Sequence, residues 1–161
     1  MKGVLVVVPC GQQKIWDKDP NRGPVPAQDV YTGSPFVLNR KYAERLSEQW
    51  VILSAKYGFI SPSFVIPGPY NVTFKKQKTG PISIPALQDQ VRAQTLDRFK
   101  IIVGLGGKEY RAIIESVFAP AGAELYFPFA GLPIGKAMQA TKRALAADEF
   151  FPNQMGNSHR S

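Results

Sequence analysis

The stretch VLVVVPCGQQK, Val4 to Lys14, decides the fold. Its first six residues are apolar without alternation, so the strand they form must be covered on both faces, as in a parallel sheet. Small and polar residues follow at once in Cys10, Gly11 and Lys14. Three further runs have the same form: WVILS (50–54), KIIVGLG (100–106) and ELYFPF (124–129).

Between these strands the spacing turns helical. In Pro35 to Gln49, the residues Phe36, Leu38, Tyr42 and Leu46 share one face, with Ser34 as N-cap. Leu87, Val91 and Leu96 do the same in Ile84 to Phe99, and Lys108 to Phe118 and Gly135 to Ala147 complete the set. Regular alternation of strand and helix argues for an α/β fold with right-handed crossovers. The expectation is a single three-layer Rossmann-like domain over residues 1–152, with a mainly parallel sheet of four to five strands. Asn71 to Phe74 (NVTF) reads as an edge strand and residues 153–161 as a flexible tail.

At 161 residues and 44% hydrophobic content, the chain is long enough for one buried core. Its net charge of +8 favours phosphate-bearing or otherwise anionic partners. The single Cys10 excludes an internal disulfide framework, and no His/Cys set has zinc spacing, so neither metal nor cofactor is expected. The apolar run at the start is too short for a signal peptide or a spanning helix, which points to the cytoplasm rather than a membrane. Oligomeric state is not legible.

Open parallel sheets bind ligands beyond the carboxyl ends of their strands. The residues collected there are Cys10, Gly11 and Lys14; Ser54, Lys56 and Tyr57; Gly106, Gly107, Lys108 and Glu109; and, after the fourth strand, Gly131, Gly135 and Lys136. Glycine lets backbone approach a ligand and lysine supplies charge, so these loops together would make an anion-selective crevice. GLGGKEY (104–110) fits neither the Walker pattern nor GxGxxG, which argues against a P-loop NTPase and a dinucleotide fold. The plainer alternative is strand-ending glycines with solvated lysines.

CGQQK, YTGSPF, LSAKYGFISPSFVIPGPYNVTF and GLGGKEY together resemble an uncharacterised prokaryotic and phage domain family with a Cys-Gly-x-x-Lys start and a central LSAKYG motif. More distantly, LSAKYGFISP with IPGPY is similar to the YGLLxPxDxIxPYR stretch of the peroxide-stress protein YaaA family. This chain has Tyr70-Asn71 where that family has Tyr-Arg. PCGQQK followed by YTGS is similar to the PCxxxKPYxxS stretch of the archaeosine synthase domain, with Ile15-Trp16 in place of its Pro-Tyr. These resemblances imply a Rossmann-like sheet and a link to nucleobases or nucleic acid, without implying a reaction.

Each residue carries two readings. Cys10 is a nucleophile near Lys14 or a small residue packed at a strand end; the only histidine, His159, lies in the tail, so a Cys-His pair is not expected. Tyr57 and Tyr70 stack on a base, or Tyr57 plugs the core under a long loop. Glu109 is a general base or base-edge acceptor, or it complements its own helix dipole. Asn71 could read a base edge by paired donor and acceptor groups. Lys75, Lys76 and Lys78 form a solvated rim or guide a phosphate backbone.

The favoured expectation is an enzyme that cleaves or transfers a group at a nucleobase, nucleoside or nucleotide. Lys14, Lys56 and Lys108 would hold anions, Tyr57 and Tyr70 would stack, and Glu109, Ser54 and Cys10 would be the catalytic candidates. The alternative is a non-catalytic binder of nucleic acid or of a nucleotide signal.

Overall fold

The computed structural model describes residues 3–149. The elements run β1 (Val4–Pro9), β2 (Val25–Pro26), α1 (Ala27–Val30), α2 (Ser34–Leu46), β3 (Trp50–Ser54), β4 (Gly58–Ile60), β5 (Val65–Ile66), α3 (Ile84–Ala93), β6 (Ile101–Gly104), α4 (Lys108–Phe118), β7 (Glu124–Tyr126) and α5 (Ile134–Ala147). Five strands form one sheet in the order β4-β3-β1-β6-β7, and β2 pairs with β5 in a separate two-stranded ribbon. β1 lies parallel to β3 and to β6, and β6 parallel to β7; only β4 runs antiparallel. The architecture is mixed α/β, compatible with a Rossmann-like fold.

The all-apolar composition of β1 is explained by what covers it. Val4, Val6 and Val8 join one core cluster with Tyr42, Ala43 and Leu46 of α2. Leu5 and Val7 join another with Leu87 and Val91 of α3 and Ile114, Val117 and Phe118 of α4. Each side chain of this size removed from water contributes about 1.5–3 kcal/mol, so the central strand anchors both clusters.

The NVTF edge strand is not formed: 71–74 is irregular chain. The edge strand is β4 instead, made by a tight reversal that its short apolar run Gly58–Ile60 did not announce. Ser54 pairs with Gly58 across a three-residue connection, and Gly58 takes the left-handed backbone (φ +77) that glycine adopts without cost. Its outer edge is capped by α3. Gln90 accepts from the Phe59 N–H (2.8 Å) and donates to the Tyr57 carbonyl (2.9 Å), and Gln94 donates to the Phe59 carbonyl (2.9 Å). Two amides one helical turn apart thus occupy backbone groups that would otherwise stay open to another strand.

Several bounds shift. Gly33, not Ser34, is the N-cap of α2, and the helix stops at Leu46. The helix expected over Ile84 to Phe99 ends at Ala93, with a separate 3-10 turn over Leu96–Arg98 entered through the left-handed Thr95. β6 and β7 are shorter than expected, ending at Gly104 and Tyr126. The expected tail lies outside the described residues. Among the described residues no helix is long and apolar enough to cross a membrane.

Candidate functional site

β1 sends its chain to β3 on one side, and β6 then returns on the other, so the strand order reverses between β1 and β6. A crevice opens beyond the carboxyl ends at such a switch point. The two strand ends are held close by Gly106 (φ +109), where a Cβ would lie 2.9 Å from Pro9 Cγ and 3.3 Å from Tyr110 Cβ. Only glycine permits that approach, and it brings the first turn of α4 over the end of β1. Tyr110 then places its hydroxyl 3.2 Å from Cys10 Sγ, while its ring meets Phe74 edge-on at 5.6 Å.

On the other flank, the LSAKYG turn organises a chain of hydroxyls. Ser54 is fully buried, and its Oγ accepts from the N–H groups of Lys56 (3.2 Å) and Tyr57 (3.1 Å). With both lone pairs engaged, its single proton goes to the Tyr70 hydroxyl at 3.2 Å. Tyr70 and Tyr31 share a hydrogen bond at 2.5 Å, in which either hydroxyl can be the donor. Burial, with Cys10 close by, pushes the Tyr70 hydroxyl up to about 12. Burial also holds Tyr31 and Tyr110 well above the ordinary tyrosine value, and both again feel Cys10. Three phenols and a thiol therefore gather at one point, and the phenols stay protonated at neutral pH.

The cations converge on the same ring. Lys14 Nζ lies 4.6 Å from the centre of the Tyr70 ring and Lys56 Nζ 5.7 Å from it, with Lys56 also 5.3 Å from the Tyr57 ring. Tyr57 and Tyr70 stand edge to face at 5.5 Å, and Tyr57 also packs against Phe64 at 5.5 Å. Tyr57 is therefore both a crevice wall and a support for the following loop.

Cys10, Lys14, Ser54, Lys56, Tyr57 and Tyr70 are thus brought together, with Gly11 and Gly106 shaping the backbone around them. A Cβ added at Gly11 would lie 3.6 Å from Tyr31 Cβ and 3.7 Å from Phe36 Cβ. Ser54 is enclosed, so its role is to orient Tyr70 rather than to attack a ligand. Glu109 is exposed on the first turn of α4. There it complements the helix N-terminus, and its carboxylate is near enough to the Tyr110 hydroxyl to help raise it. Lys108, Gly107 and Asn71 are exposed at the rim. In the loop after β7, Phe129 packs edge-on against Tyr42 at 5.4 Å, on the α2 side. Among the described residues no group of three His, Cys, Asp or Glu could hold a metal ion.

A separate open cleft of about 470 Å³ shares Tyr31 as a wall and is lined also by Phe36, Arg40 and Glu44. Its arginine is already engaged, 3.5 Å from Asp29 and 3.5 Å from Glu44. The lysines of the crevice have no such carboxylate partners among the described residues, which makes the crevice the better anion site.

A family model described as "Family of unknown function (DUF6884)" matches residues 5–143. The chain belongs to DUF6884. It is also similar to the "Uncharacterized protein YfjM" of Bacillus subtilis (strain 168), at 34% identity over 142 residues, covering 88% of this chain and 94% of that protein. No solved structure matches. The DUF6884 match runs from β1 into α5, so the crevice and all its walls lie inside it.

Sequence reasoning missed Tyr31 and Tyr110 as site residues. Both stood in stretches already singled out, YTGSPF and GLGGKEY, but only the fold shows their hydroxyls meeting Tyr70 and Cys10, residues far along the chain.

Proposed function

We propose that this crevice binds a nucleotide, and that the protein is an enzyme cleaving or transferring a group at the base or sugar, in the manner of a glycosidase or transferase. The carrying observation is the placement of two lysine ammonium groups, from the loops after β1 and β3, around one tyrosine ring. A ligand joining negative charge to a flat ring satisfies both features. Lys14 and Lys56 take the phosphate, with Lys108 at the rim. Tyr57 offers a stacking surface, and such a contact contributes roughly 1–3 kcal/mol per base. Cys10 is the nucleophile within the cluster, and Tyr31, almost wholly buried, holds the Tyr70 hydroxyl in place through their shared hydrogen bond. The likeness of PCGQQK and YTGS to the archaeosine synthase domain supports the same ligand class. The same reading takes the fold as three-layered, supported by the two helical groups packed on opposite faces of β1.

The test is a panel of nucleosides and nucleotides scored twice: by the rise in melting temperature, which grows with the logarithm of excess ligand, and by mass spectrometry for turnover. Lys56→Ala should abolish the ligand-induced rise and leave the unliganded melting temperature nearly unchanged, because an exposed lysine contributes little to folding. Tyr57→Ala should lower both. Binding without turnover would leave a recognition module, and a ligand response retained in Lys56→Ala would remove the site.

A further inference from the structure

No aspartate or glutamate stands between Glu48 and Asp89, yet that stretch holds Lys56, Lys75, Lys76 and Lys78. It supplies β3, the LSAKYG turn, β4, β5 and the loop leading to α3. Ion pairs in the described structure join Arg40 to Asp29 and Glu44, Arg45 to Asp148, and Arg92 to Asp89. All lie outside this stretch, and none of its lysines is neutralised by a neighbour.

The segment bearing Lys75, Lys76 and Lys78 is not a loose solvated arm. Thr79 Oγ1 accepts from the Thr73 N–H (3.0 Å) and lies 2.6 Å from the Lys76 carbonyl, while the Thr79 and Gly80 N–H groups close turns onto Lys76 and Gln77. Both ends are tied to the crevice. Phe74 packs on Tyr110, and the Ile82 N–H donates to the carbonyl of Ala55 in the LSAKYG turn (2.8 Å). Three exposed lysines are therefore held on a stiffened loop anchored to two walls of the crevice. In the nucleotide reading a single phosphate is held by Lys14 and Lys56, which leaves the loop's lysines for further phosphates.

We infer that the ligand is one nucleotide of a single-stranded nucleic acid, whose continuing phosphate backbone runs over the 73–80 loop. The inference rests on the nucleotide reading of the crevice and extends it from a free nucleotide to a polymer. Tyr57 and Tyr70 sit half-buried, so a base reaches them only when unstacked, which favours a single strand over a duplex. Cations spaced along a rigid loop, without acidic neighbours, suit a repeating chain of phosphates.

The experiment measures fluorescence anisotropy of a labelled single-stranded oligonucleotide of mixed sequence, as DNA and as RNA, over a salt series, with a duplex of the same sequence alongside. The full chain is compared with a variant in which Lys75, Lys76 and Lys78 are all glutamine, its folding checked by melting temperature. Wild type should bind at least one of the two single strands more tightly than the duplex. The triple variant should lose roughly tenfold in affinity, and its salt slope should fall by about 2, near 0.7 for each lost contact. Its melting shift with mononucleotides should stay as in wild type. If mononucleotides bind but the oligonucleotide shows an unchanged slope in the variant, or if the duplex binds as well as either single strand, the polymer inference falls and the nucleotide site stands. If neither mononucleotide nor oligonucleotide binds, both fall.

Discussion

Cys10 Sγ and the Tyr110 hydroxyl lie 3.2 Å apart although 100 residues separate them in the chain. The contact joins the end of β1 to the first turn of α4 and makes the tyrosine ring a cover for the thiol. Tyr110→Ala should therefore speed the reaction of Cys10 with a small thiol reagent several-fold, measured well below the melting temperature of the variant. An unchanged rate would show that the ring does not control access.

Tyr70→Phe removes the hydroxyl that links Ser54 to Tyr31, both of which are almost wholly buried. Two polar groups then lose a partner without gaining water. The loss should be about 1–3 kcal/mol in urea unfolding. Ser54→Ala should cost a similar amount and also loosen the turn, because its oxygen holds the Lys56 and Tyr57 N–H groups.

The two glycines after β6 should behave differently. Gly106→Ala places a methyl 2.9 Å from Pro9 at a backbone angle of +109°, so it should destabilise by about 1–3 kcal/mol or more and widen the crevice. At Gly107 φ is −78°, and the nearest atom to an added Cβ is the end of the flexible Glu109 side chain at 3.6 Å. Gly107→Ala should be close to neutral by the same melting assay.

High pH tests the buried phenols together. The Tyr70 value rises from 10.0 to about 12 on folding, and Tyr31 and Tyr110 move in the same direction. A group with a raised value binds its proton more tightly in the folded state, so its contribution is fully present below about pH 10. Between pH 10 and 12 the unfolded chain releases the proton first, and stability is lost as pH rises. Melting temperature should decline through this window, and Tyr70→Phe should reduce the slope. A flat profile up to pH 12 would mean that these hydroxyls are not protected.

Much of the fold was legible because its signals are local. Val4 to Pro9 and Trp50 to Ser54 are apolar throughout, and a strand must be so when both its faces are covered; the structure keeps both at the expected bounds. Lys108 to Phe118 carries its own helical spacing and is also recovered end to end. The edge strand was misplaced because β4 is held by partners distant in sequence. Phe59 is paired by Gln90 and Gln94 of α3, and nothing within Gly58–Ile60 announces that arrangement. The crevice divides in the same way. Its glycines and lysines could be collected from strand ends by a rule of sheet topology. The meeting of Tyr31, Tyr70, Tyr110 and Cys10 depends on where β1, β6 and two long loops come to rest. Chain alternation determines the mixed α/β class, whereas the direction of a side chain at a strand end is decided by packing between segments that share no local signal.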